Sequence, residues 1–395
     1  MDDRIPIIIC GGHLSPALAV ICEIQKEKKY KIYYVGRKIA LEGDRAFSLE
    51  YQTAISYNIP FIELNPARLQ RKFTVYTLSS LLRFPMSIIQ SLLILIRVKP
   101  KLVLSFGGYV ALPISLAASM LDISVITHEQ THVMGLTNRI ISRIAREVCV
   151  SWHDTAKIPS GVKVEMTGLP LKFSNDINCH NSFIDKSVNS SKSMHNINKE
   201  KQSLRFGDEK LPFLFITGGS LGSRSVNNMI EPVLAELLKN FRILHQTGAA
   251  DNSKDFEILD RLNSRLPNYL RNNYRVIKHA YPFEIENILS YSDLVLGRSG
   301  ANTTAEVQYF AIPAVFIPLP WAADNEQQCN AEYLKNLGMA EIVEQNDTSE
   351  YMLGVIMKIK NNYKFYKKNA LSAQRLLIKD GSGRMLDVIN RCIKL

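Results

Sequence analysis

Short apolar runs alternate with longer helical patterns along most of this sequence. Runs of this kind, separated by helices, are typical of βαβ units and of a parallel sheet. Their apolar residues follow one another without polar alternation, as in strands that helices cover on both faces. The sequence therefore predicts an α/β protein, with strands near 7–9, 31–35, 102–105, 124–127, 212–217, 243–247, 274–277, 294–296 and 314–317.

One stretch lacks this rhythm and divides the chain. Residues 174–204 are rich in Ser, Asn and Lys and show no periodicity, which predicts a flexible insertion and linker. The length of 395 residues also exceeds one ordinary core. We therefore expect two doubly wound, Rossmann-like domains. Their expected bounds are 1–173 and 205–380, followed by a last helix at 381–395 that is expected to return to the N-terminal domain.

Charge and cysteine content narrow the possible functions. A formal charge of +11 suits nucleic acid, an anionic membrane, a phosphorylated substrate or simply a basic surface. Nucleic-acid binding is not expected, because the basic residues are scattered and form no RRM, zinc-finger or helix-turn-helix pattern. The six cysteines show no paired spacing, which indicates a reducing compartment. The first residues form no signal-peptide pattern, so a cytoplasmic location is expected.

The strongest local feature is a glycine-rich turn between a strand and a helix at 215–224. Gly219 lies in this turn, and Ser220 adds a hydroxyl donor. Glycines allow a phosphate to approach the backbone, and a helix N-terminus attracts its charge. The turn matches neither a Walker loop nor the GxGxxG pattern, and helix packing alone also explains such turns.

Two further loops carry polar residues after predicted strands. In the loop at 296–306, either Asn302 or Thr303 is expected to cap the next helix. Glu306 follows one turn later, where it either supports the cap or accepts the hydroxyls of a ribose. The Pro-bounded segment 318–331 is dense in amides and carboxylates that could hold sugar hydroxyls.

Several motifs, in order, resemble those of the MurG family of N-acetylglucosaminyltransferases. The second half contains ITGGSLGSRSVN and RSGANTTAEV…IPAVFIPLPWAADNEQQCNA, and the first half contains SFGGYVALP, THEQTHVMGLTNR and TGLP. The resemblance covers most of the chain except the 174–204 stretch. It implies a GT-B fold, in which two Rossmann-like domains face a central cleft.

The family resemblance also implies a reaction. It is the inverting, metal-independent transfer of GlcNAc from UDP-GlcNAc to undecaprenyl-diphosphate-MurNAc-pentapeptide (lipid I), giving lipid II for peptidoglycan, without a cofactor. Two alternatives stay open: a GT-B glycosyltransferase acting on another membrane lipid, and a catalytically degenerate UDP-binding subunit. UDP-GlcNAc 2-epimerases share the fold and the donor but need no membrane lipid.

The resemblance assigns donor-binding roles by position. Gly219 and Ser220 would contact the diphosphate, Asn302 and Thr303 would begin the helix that faces it, and Glu306 would bind the ribose. The remaining implied donor contacts are Tyr281 near uracil, Lys172, and three residues around the GlcNAc hydroxyls: Glu326, Gln327 and Asn330. The family commonly has Gln where Glu326 stands.

The first loop supplies the candidate general base. It retains Gly11, Gly12 and His13, although it is about two residues shorter than in the family. An imidazole suits removal of an acceptor hydroxyl proton near neutral pH. The competing hypotheses are a base at His128 or Glu129, and a His13 that only helps to bind phosphate. Other residues implied at the acceptor are Gly107, Gly108, Tyr109, Thr131 and Asn138.

Three residues depart from the family pattern near this site. Thr131 replaces a common Asn, Leu169 replaces the Asn of a TGNP motif, and Lys172 replaces Arg. Lysine keeps the charge but loses the bidentate geometry of a guanidinium. These departures predict altered acceptor recognition or slower catalysis.

An apolar segment flanked by cations lies at 81–101. Its longest uncharged stretch, 84–96, is too short to span the roughly 30 Å of bilayer hydrocarbon. A buried helix of the α/β domain explains the apolarity equally well. The functional interpretation is an interfacial helix whose basic neighbours bind anionic lipid. The protein would then be peripheral, at the cytoplasmic face of the cell membrane.

Overall fold

The computed structural model describes residues 3–39, 47–66, 75–171, 204–219, 221–248, 254–280 and 282–394. The chain forms two compact units, residues 1–185 with 378–395 and residues 186–377. Three predicted site residues, Lys172, Ser220 and Tyr281, lie outside the described residues, as does the predicted insertion except Leu204.

The first unit is built on a parallel sheet of seven strands. Apolar runs such as Ile7–Ile8–Ile9 are wholly buried, as expected of strands covered on both faces. The strand order is β3-β2-β1-β4-β5-β6-β7. The strands are β1 (Ile5–Cys10), β2 (Tyr30–Gly36), β3 (Phe61–Glu63), β4 (Leu102–Ser105), β5 (Ser124–Glu129), β6 (Glu147–Val150) and β7 (Val164–Met166).

Helices flank this sheet, and the last helix of the chain belongs to the same unit. Its side chains Met385, Val388 and Ile389 are fully buried in one core cluster with Ile7 and Ile21. The helices of the first unit are α1 (Leu14–Lys26), α2 (Leu49–Ser56), α3 (Val75–Val98), α4 (Gly108–Met120), α5 (Leu136–Ile141) and α15 (Gly381–Lys394).

The second unit repeats the architecture with six parallel strands. They are β8 (Phe213–Thr217), β9 (Arg242–Gln246), β10 (Tyr274–Ile277), β11 (Leu294–Gly297), β12 (Ala314–Phe316) and β13 (Ala340–Ile342), in the order β10-β9-β8-β11-β12-β13. The helices are α6 (Arg224–Ile230), α7 (Leu234–Leu238), α8 (Asp255–Arg265), α9 (Asn268–Arg271), α10 (Pro282–Tyr291), α11 (Ala301–Tyr309), α12 (Glu326–Asn336), α13 (Ser349–Asn361) and α14 (Tyr363–Gln374).

The predicted class, two doubly wound α/β units, is confirmed. Each predicted strand is present, with its ends within two residues of the expected bounds. Sequence reasoning missed the strands β3, β6, β7 and β13, which have only three or four residues. In each sheet the chain order reverses between two neighbouring strands, β1 and β4 in the first unit and β8 and β11 in the second. Ligands of such sheets bind beyond the carboxyl ends of these strands, at the topological switch point.

Helix α3 has one packed and one exposed apolar side. Leu95 is buried against α4, whereas Met86, Ile89, Leu93 and Ile96 are each more than half exposed. Their spacing of three and four residues places them on one face of the helix. No helix in the part of the chain that the structure describes has both the length and the apolar character needed to cross a bilayer.

Candidate functional site

The switch point of the first unit is built from two glycine loops in direct backbone contact. The N–H of Gly12 donates to the carbonyl of Gly107 at 3.1 Å. A Cβ on Gly11 would lie 2.9 Å from that same oxygen, and a Cβ on Gly108 would lie 3.0 Å from the nitrogen of Gly12. Gly107 and Gly108 also adopt positive φ angles, which favour glycine. The glycines predicted at the acceptor therefore bring the loops after β1 and β4 together.

His13 ends the first of these loops and precedes α1. Its Nδ1 lies 2.6 Å from Nε2 of Gln130, which follows β5. Burial lowers the pKa of the half-buried His13 ring, while the negative charge of Glu129 opposes that shift. A neutral imidazole at neutral pH is the form that can accept a proton.

His128 occupies a different environment from His13. Its side chain is 1% exposed, and its Nε2 lies 3.2 Å from the carbonyl oxygen of Gly168 and 3.3 Å from the Ser151 hydroxyl. Burial lowers the pKa of His128 to about 4. A neutral ring so enclosed is suited to holding the end of β5 in place.

The carboxylate of Glu129 accepts four hydrogen bonds, all from the loop and helix that follow it. Oε1 accepts from the backbone N–H of Thr131 at 3.0 Å and lies 2.9 Å from its hydroxyl. Oε2 accepts from the N–H of Gly135 at 3.0 Å and from the amide of Asn138 at 2.9 Å. Glu129, Thr131 and Asn138 are each 3% exposed. The structure thus gathers these predicted residues into one buried, mutually satisfied network.

Tyr109 lies in the first turn of α4, after the second glycine loop. Its hydroxyl accepts a hydrogen bond from Arg37 at 2.8 Å, and the guanidinium also lies 5.8 Å from its ring centroid. Tyr109 is therefore held by a cation that follows β2.

The switch point of the second unit begins with the loop after β8. Gly222 has a φ of +83°, and a Cβ there would lie 2.1 Å from the carbonyl oxygen of Thr247. Gly219 has a φ of +85°, but a Cβ there would meet nothing within 4 Å. Its N–H donates to the hydroxyl oxygen of Thr217 at 3.0 Å. Gly222 is thus needed for packing, whereas Gly219 lines open space.

Arg298 connects this loop with the loops after β11 and β12. Its guanidinium donates to the Ser223 hydroxyl at 3.0 Å, to the Gln345 amide oxygen at 2.7 Å, and to the carbonyls of Ile317 and Pro318 at 2.8 and 2.9 Å. Burial lowers the pKa of this arginine, which is 8% exposed. Sequence reasoning missed this role, although a cation directly after a buried strand was a visible signal.

Helix α11 carries three predicted donor-binding residues. It begins at Ala301 with Gly300 as its N-cap, so the prediction that Asn302 or Thr303 caps it is wrong; both lie inside the first turn. The buried Oδ1 of Asn302 has no hydrogen-bond partner among the described residues. Burial raises the pKa of Glu306 to about 7, and no described residue donates a hydrogen bond to its carboxylate.

Helix α12 is joined to the start of α11 through Ser299. The Ser299 hydroxyl donates to the carbonyl of Gln327 at 2.7 Å, and the amide of Asn330 donates to the carbonyl of Ser299 at 3.0 Å. Oε1 of Gln327 accepts from the N–H of Leu319 at 3.0 Å. Glu326 begins the helix, after two residues with positive φ, Asp324 and Asn325. The predicted sugar-binding residues therefore lie beside the start of α11, the helix predicted to face the diphosphate.

The described residues contain no group of three or more His, Cys, Asp or Glu side chains arranged to hold a metal ion. Sequence reasoning also missed Gln130. Its contact with His13 joins residues 117 positions apart, and no local pattern announces such a pair.

Comparison with known proteins gives concordant matches for both units. The glycosyltransferase family 28 N-terminal domain matches residues 10–150, and the family 28 C-terminal domain matches residues 213–384. A UDP-N-acetylglucosamine--N-acetylmuramyl-(pentapeptide) pyrophosphoryl-undecaprenol N-acetylglucosamine transferase of Treponema denticola is 32% identical over 84% of this chain and 81% of its own. The protein of the same name from Desulfitobacterium hafniense is 30% identical over 96% and 95% of the two chains.

Solved structures show the same fold at lower identity. MurG of Acinetobacter baumannii superposes with a TM-score of 0.69 at 24% identity, covering 98% of this chain and 100% of its own. A UDP-GlcNAc 2-epimerase of Neisseria meningitidis bound to UDP-GlcNAc gives a TM-score of 0.64 at 16% identity, over 98% and 99% of the chains. Both structural similarities establish the fold. They do not distinguish the activity of this chain, for which the sequence relatives of higher identity are informative.

Proposed function

Because this chain belongs to the MurG family of glycosyltransferases, we propose that it transfers GlcNAc from UDP-GlcNAc to lipid I, forming lipid II for peptidoglycan. The observation that carries this proposal is the sequence identity of 30–32% to transferases named for that reaction, over most of each chain. The epimerase has the same fold, but its identity of 16% supports no shared activity.

We assign the donor to the switch point of the second unit. Gly219 lines open space after β8, and Asn302 and Thr303 lie in the first turn of α11, after the neighbouring strand β11. Backbone N–H groups at such a turn attract phosphate. No described residue donates a hydrogen bond to the Glu306 carboxylate, which suits that carboxylate to the two hydroxyls of a ribose. The sugar would contact Glu326, Gln327 and Asn330; Ser220, Lys172 and Tyr281 complete the proposed donor site.

We assign the acceptor and the base to the switch point of the first unit. In the proposed step the acceptor hydroxyl oxygen attacks the anomeric carbon of GlcNAc, and the bond from that carbon to the diphosphate breaks. The bonding electrons leave with UDP, and the hydroxyl proton passes to His13. Attack opposite the leaving group inverts the anomeric configuration. His13 is preferred to His128 because it is half-buried, whereas His128 is 1% exposed.

The remaining residues of this switch point would shape the acceptor site. Glu129 holds the loop that contains Thr131 and Asn138, and Tyr109 is fixed by Arg37. The glycines Gly11, Gly12, Gly107 and Gly108 allow the two loops to approach, so that the acceptor would bind over their backbone.

The decisive experiment offers purified protein labelled UDP-GlcNAc and lipid I, and then separates the lipid products. We expect labelled lipid II, with product formation continuing in excess EDTA. UDP binding without any lipid product would identify a degenerate subunit and overturn the proposal. Product from a diacylglycerol acceptor but not from lipid I would identify a different transferase.

We further propose that the protein is peripheral and acts at the cytoplasmic face of the membrane. The exposed side chains Met86, Ile89, Leu93 and Ile96 form an apolar stripe along α3, which we call the α3 stripe. The exposed cations Arg97, Lys99 and Lys101 lie at its end. Apolar side chains beside cations suit the interface of an anionic bilayer.

Vesicle sedimentation tests this location. We expect binding to vesicles of phosphatidylglycerol and phosphatidylethanolamine, weakened by salt and by Leu93→Glu. The matched control is Leu371→Glu, the same change at an exposed position of α14 in the other unit. Equal binding of the two variants would contradict a role for the α3 stripe.

A further inference from the structure

The side chain of Gln130 contacts the ring of His13, and a hydrogen bond to the backbone of Gln130 holds this residue in place. Gln130 is 6% exposed, and its backbone carbonyl accepts a hydrogen bond from Nε1 of Trp152 at 2.9 Å. Its amide nitrogen lies 2.6 Å from Nδ1 of His13, while its buried Oε1 has no partner among the described residues. The amide therefore meets one ring nitrogen of the proposed base and leaves the other ring nitrogen to the substrates.

The orientation of this amide determines which ring nitrogen of His13 carries the proton and which can accept one. A neutral imidazole carries one proton, on either Nδ1 or Nε2. When the amide N–H donates to Nδ1, the ring proton is on Nε2, so Nε2 is a donor and cannot accept a proton. When Oε1 faces the ring, Nδ1 carries the proton and Nε2 becomes the base. Rotation of the amide by half a turn exchanges the two states.

We propose that Gln130 is the positioning residue that selects the tautomer of His13, and that turning its Oε1 toward Nδ1–H makes Nε2 the base. Rotation replaces one hydrogen bond to the ring by another. In the orientation that the structure shows, Oε1 is the buried amide atom without a partner among the described residues. This inference rests on the proposed function of His13.

Among the neighbours of His13, Gln130 is the one placed to select the tautomer of the ring. The titratable groups that act on the ring are Glu129 and His128, at the end of β5. The carboxylate of Glu129 already has four hydrogen bonds, and the contacting loop at Gly107–Gly108 is uncharged. Among the described residues, Gln130 is the hydrogen-bond partner of the His13 ring.

Two substitutions of opposite chemistry test the proposal. In Gln130→Glu a carboxylate accepts from Nδ1–H and stabilises the imidazolium, so the acid limb of the kcat profile should move to higher pH while kcat above that limb is retained. In Gln130→Met the ring loses its selecting partner. We expect kcat to fall roughly 10-fold, less than the roughly 10²–10⁴-fold contribution of a general base, with an unchanged KM for UDP-GlcNAc.

Gln25→Met is the matched control, because Gln25 also has a buried Oε1 without a partner in the described part of the chain but lies at the far end of α1. It should keep the wild-type kcat and pH profile. Identical profiles for Gln130→Met and Gln25→Met would overturn the proposal, as would an acid limb that does not move in Gln130→Glu. Melting temperatures of all variants show whether a lower kcat merely follows a loss of folded protein.

A readout that needs no turnover separates this inference from the proposed function. Protein labelled with ¹⁵N-histidine, assigned through His13→Ala, reports which ring nitrogen carries the proton. We expect one dominant tautomer in Gln130→Glu, with Nε2 unprotonated, and a mixture in Gln130→Met. An unchanged His13 signal in both variants would contradict the inference. Absence of lipid II from the wild-type protein would contradict the proposed function and leave this result standing.

Discussion

The two switch points share a topology but differ in how their glutamate carboxylates are hydrogen-bonded. In the first unit the Glu129 carboxylate has four hydrogen bonds from its own loop and helix. In the second unit the Glu306 carboxylate and the Oδ1 atoms of Asn302 and Asn330 have no hydrogen-bond donor among the described residues. A carboxylate that lacks a donor at a ligand-binding edge suits partners that a ligand supplies.

This contrast indicates a different function for each switch point. A network that is internally satisfied is rigid and suits the positioning of a base. A set of unpaired acceptors beside open space suits the binding of a ligand rich in hydroxyl groups. Substitutions in the first unit should therefore change turnover, and substitutions in the second unit should change the affinity for the donor.

The largest expected effect is that of His13→Ala. Loss of a general base should lower kcat by roughly 10²–10⁴-fold, while the dissociation constant of UDP changes little. Because burial lowers the pKa of His13 below its ordinary value of 6.5, wild-type kcat should fall only at pH values below that point. Steady-state kinetics against pH, with UDP titration calorimetry, measure both quantities. If His13→Ala kept the wild-type kcat but lost affinity for UDP, the assignment of turnover to the first unit and of donor binding to the second would be wrong.

Two glycines of the second unit should respond very differently to alanine. A Cβ at Gly222 would lie 2.1 Å from the Thr247 carbonyl, so Gly222→Ala should destabilise the unit by more than the roughly 1–2 kcal/mol that left-handed backbone costs alone. Gly219→Ala meets open space, so it should cost only that backbone term while weakening UDP binding. Thermal unfolding and UDP titration distinguish packing from ligand contact. Equal melting temperatures of Gly222→Ala and Gly219→Ala would show that the two positions tolerate a Cβ equally well, contrary to this prediction.

Arg298→Lys tests whether the loops of the second unit act together. Lysine keeps the charge but cannot reach all the acceptors of the Arg298 guanidinium at once, and hydrogen bonds to a charged group contribute about 1.5–3 kcal/mol each. We expect a loss of about 2 kcal/mol in the free energy of unfolding and weaker UDP binding, with the pH profile of kcat unchanged. Arg275→Lys, at the distant edge strand β10, is the matched control. A change in pH profile would connect Arg298 to the base.

The sequence predicted the frame of both sites because that frame depends on local patterns. Apolar runs located the longer strands, and glycine loops directly after them located the two switch points. The partners of Arg298 and Gln130 could not be predicted, because Ser223 lies 75 residues from Arg298 and His13 lies 117 residues from Gln130. Such contacts follow from strand order in the folded sheets. Nor could the pattern reveal that Glu129 is satisfied and Glu306 is not, since both are carboxylates near a strand end or a helix start.

Glu306→Gln gives the smallest expected effect and the most specific signature. Burial raises the pKa of Glu306 from an ordinary value of 4.5 to about 7, so the folded state holds the proton more tightly than the unfolded chain does. The contribution of Glu306 to stability is full at pH values below its pKa in the unfolded chain. It is lost as pH rises through its pKa in the folded protein. Relative to Glu306→Gln, the wild-type melting temperature should therefore fall between about pH 5 and about pH 8.

Ribose hydroxyls donate to the ionised form of this carboxylate, so UDP binding should show the opposite trend. Wild-type affinity should increase as pH rises through about 7, and Glu306→Gln should bind UDP roughly 10-fold more weakly above that pH, with little pH dependence. The control is Glu341→Gln, a carboxylate of β13 that already pairs with Lys358 at 2.6 Å. Its substitution should leave UDP affinity unchanged. Should both variants bind UDP equally well at every pH, the unpaired carboxylate would not be a ligand contact, and the contrast between the two switch points would lose its functional meaning.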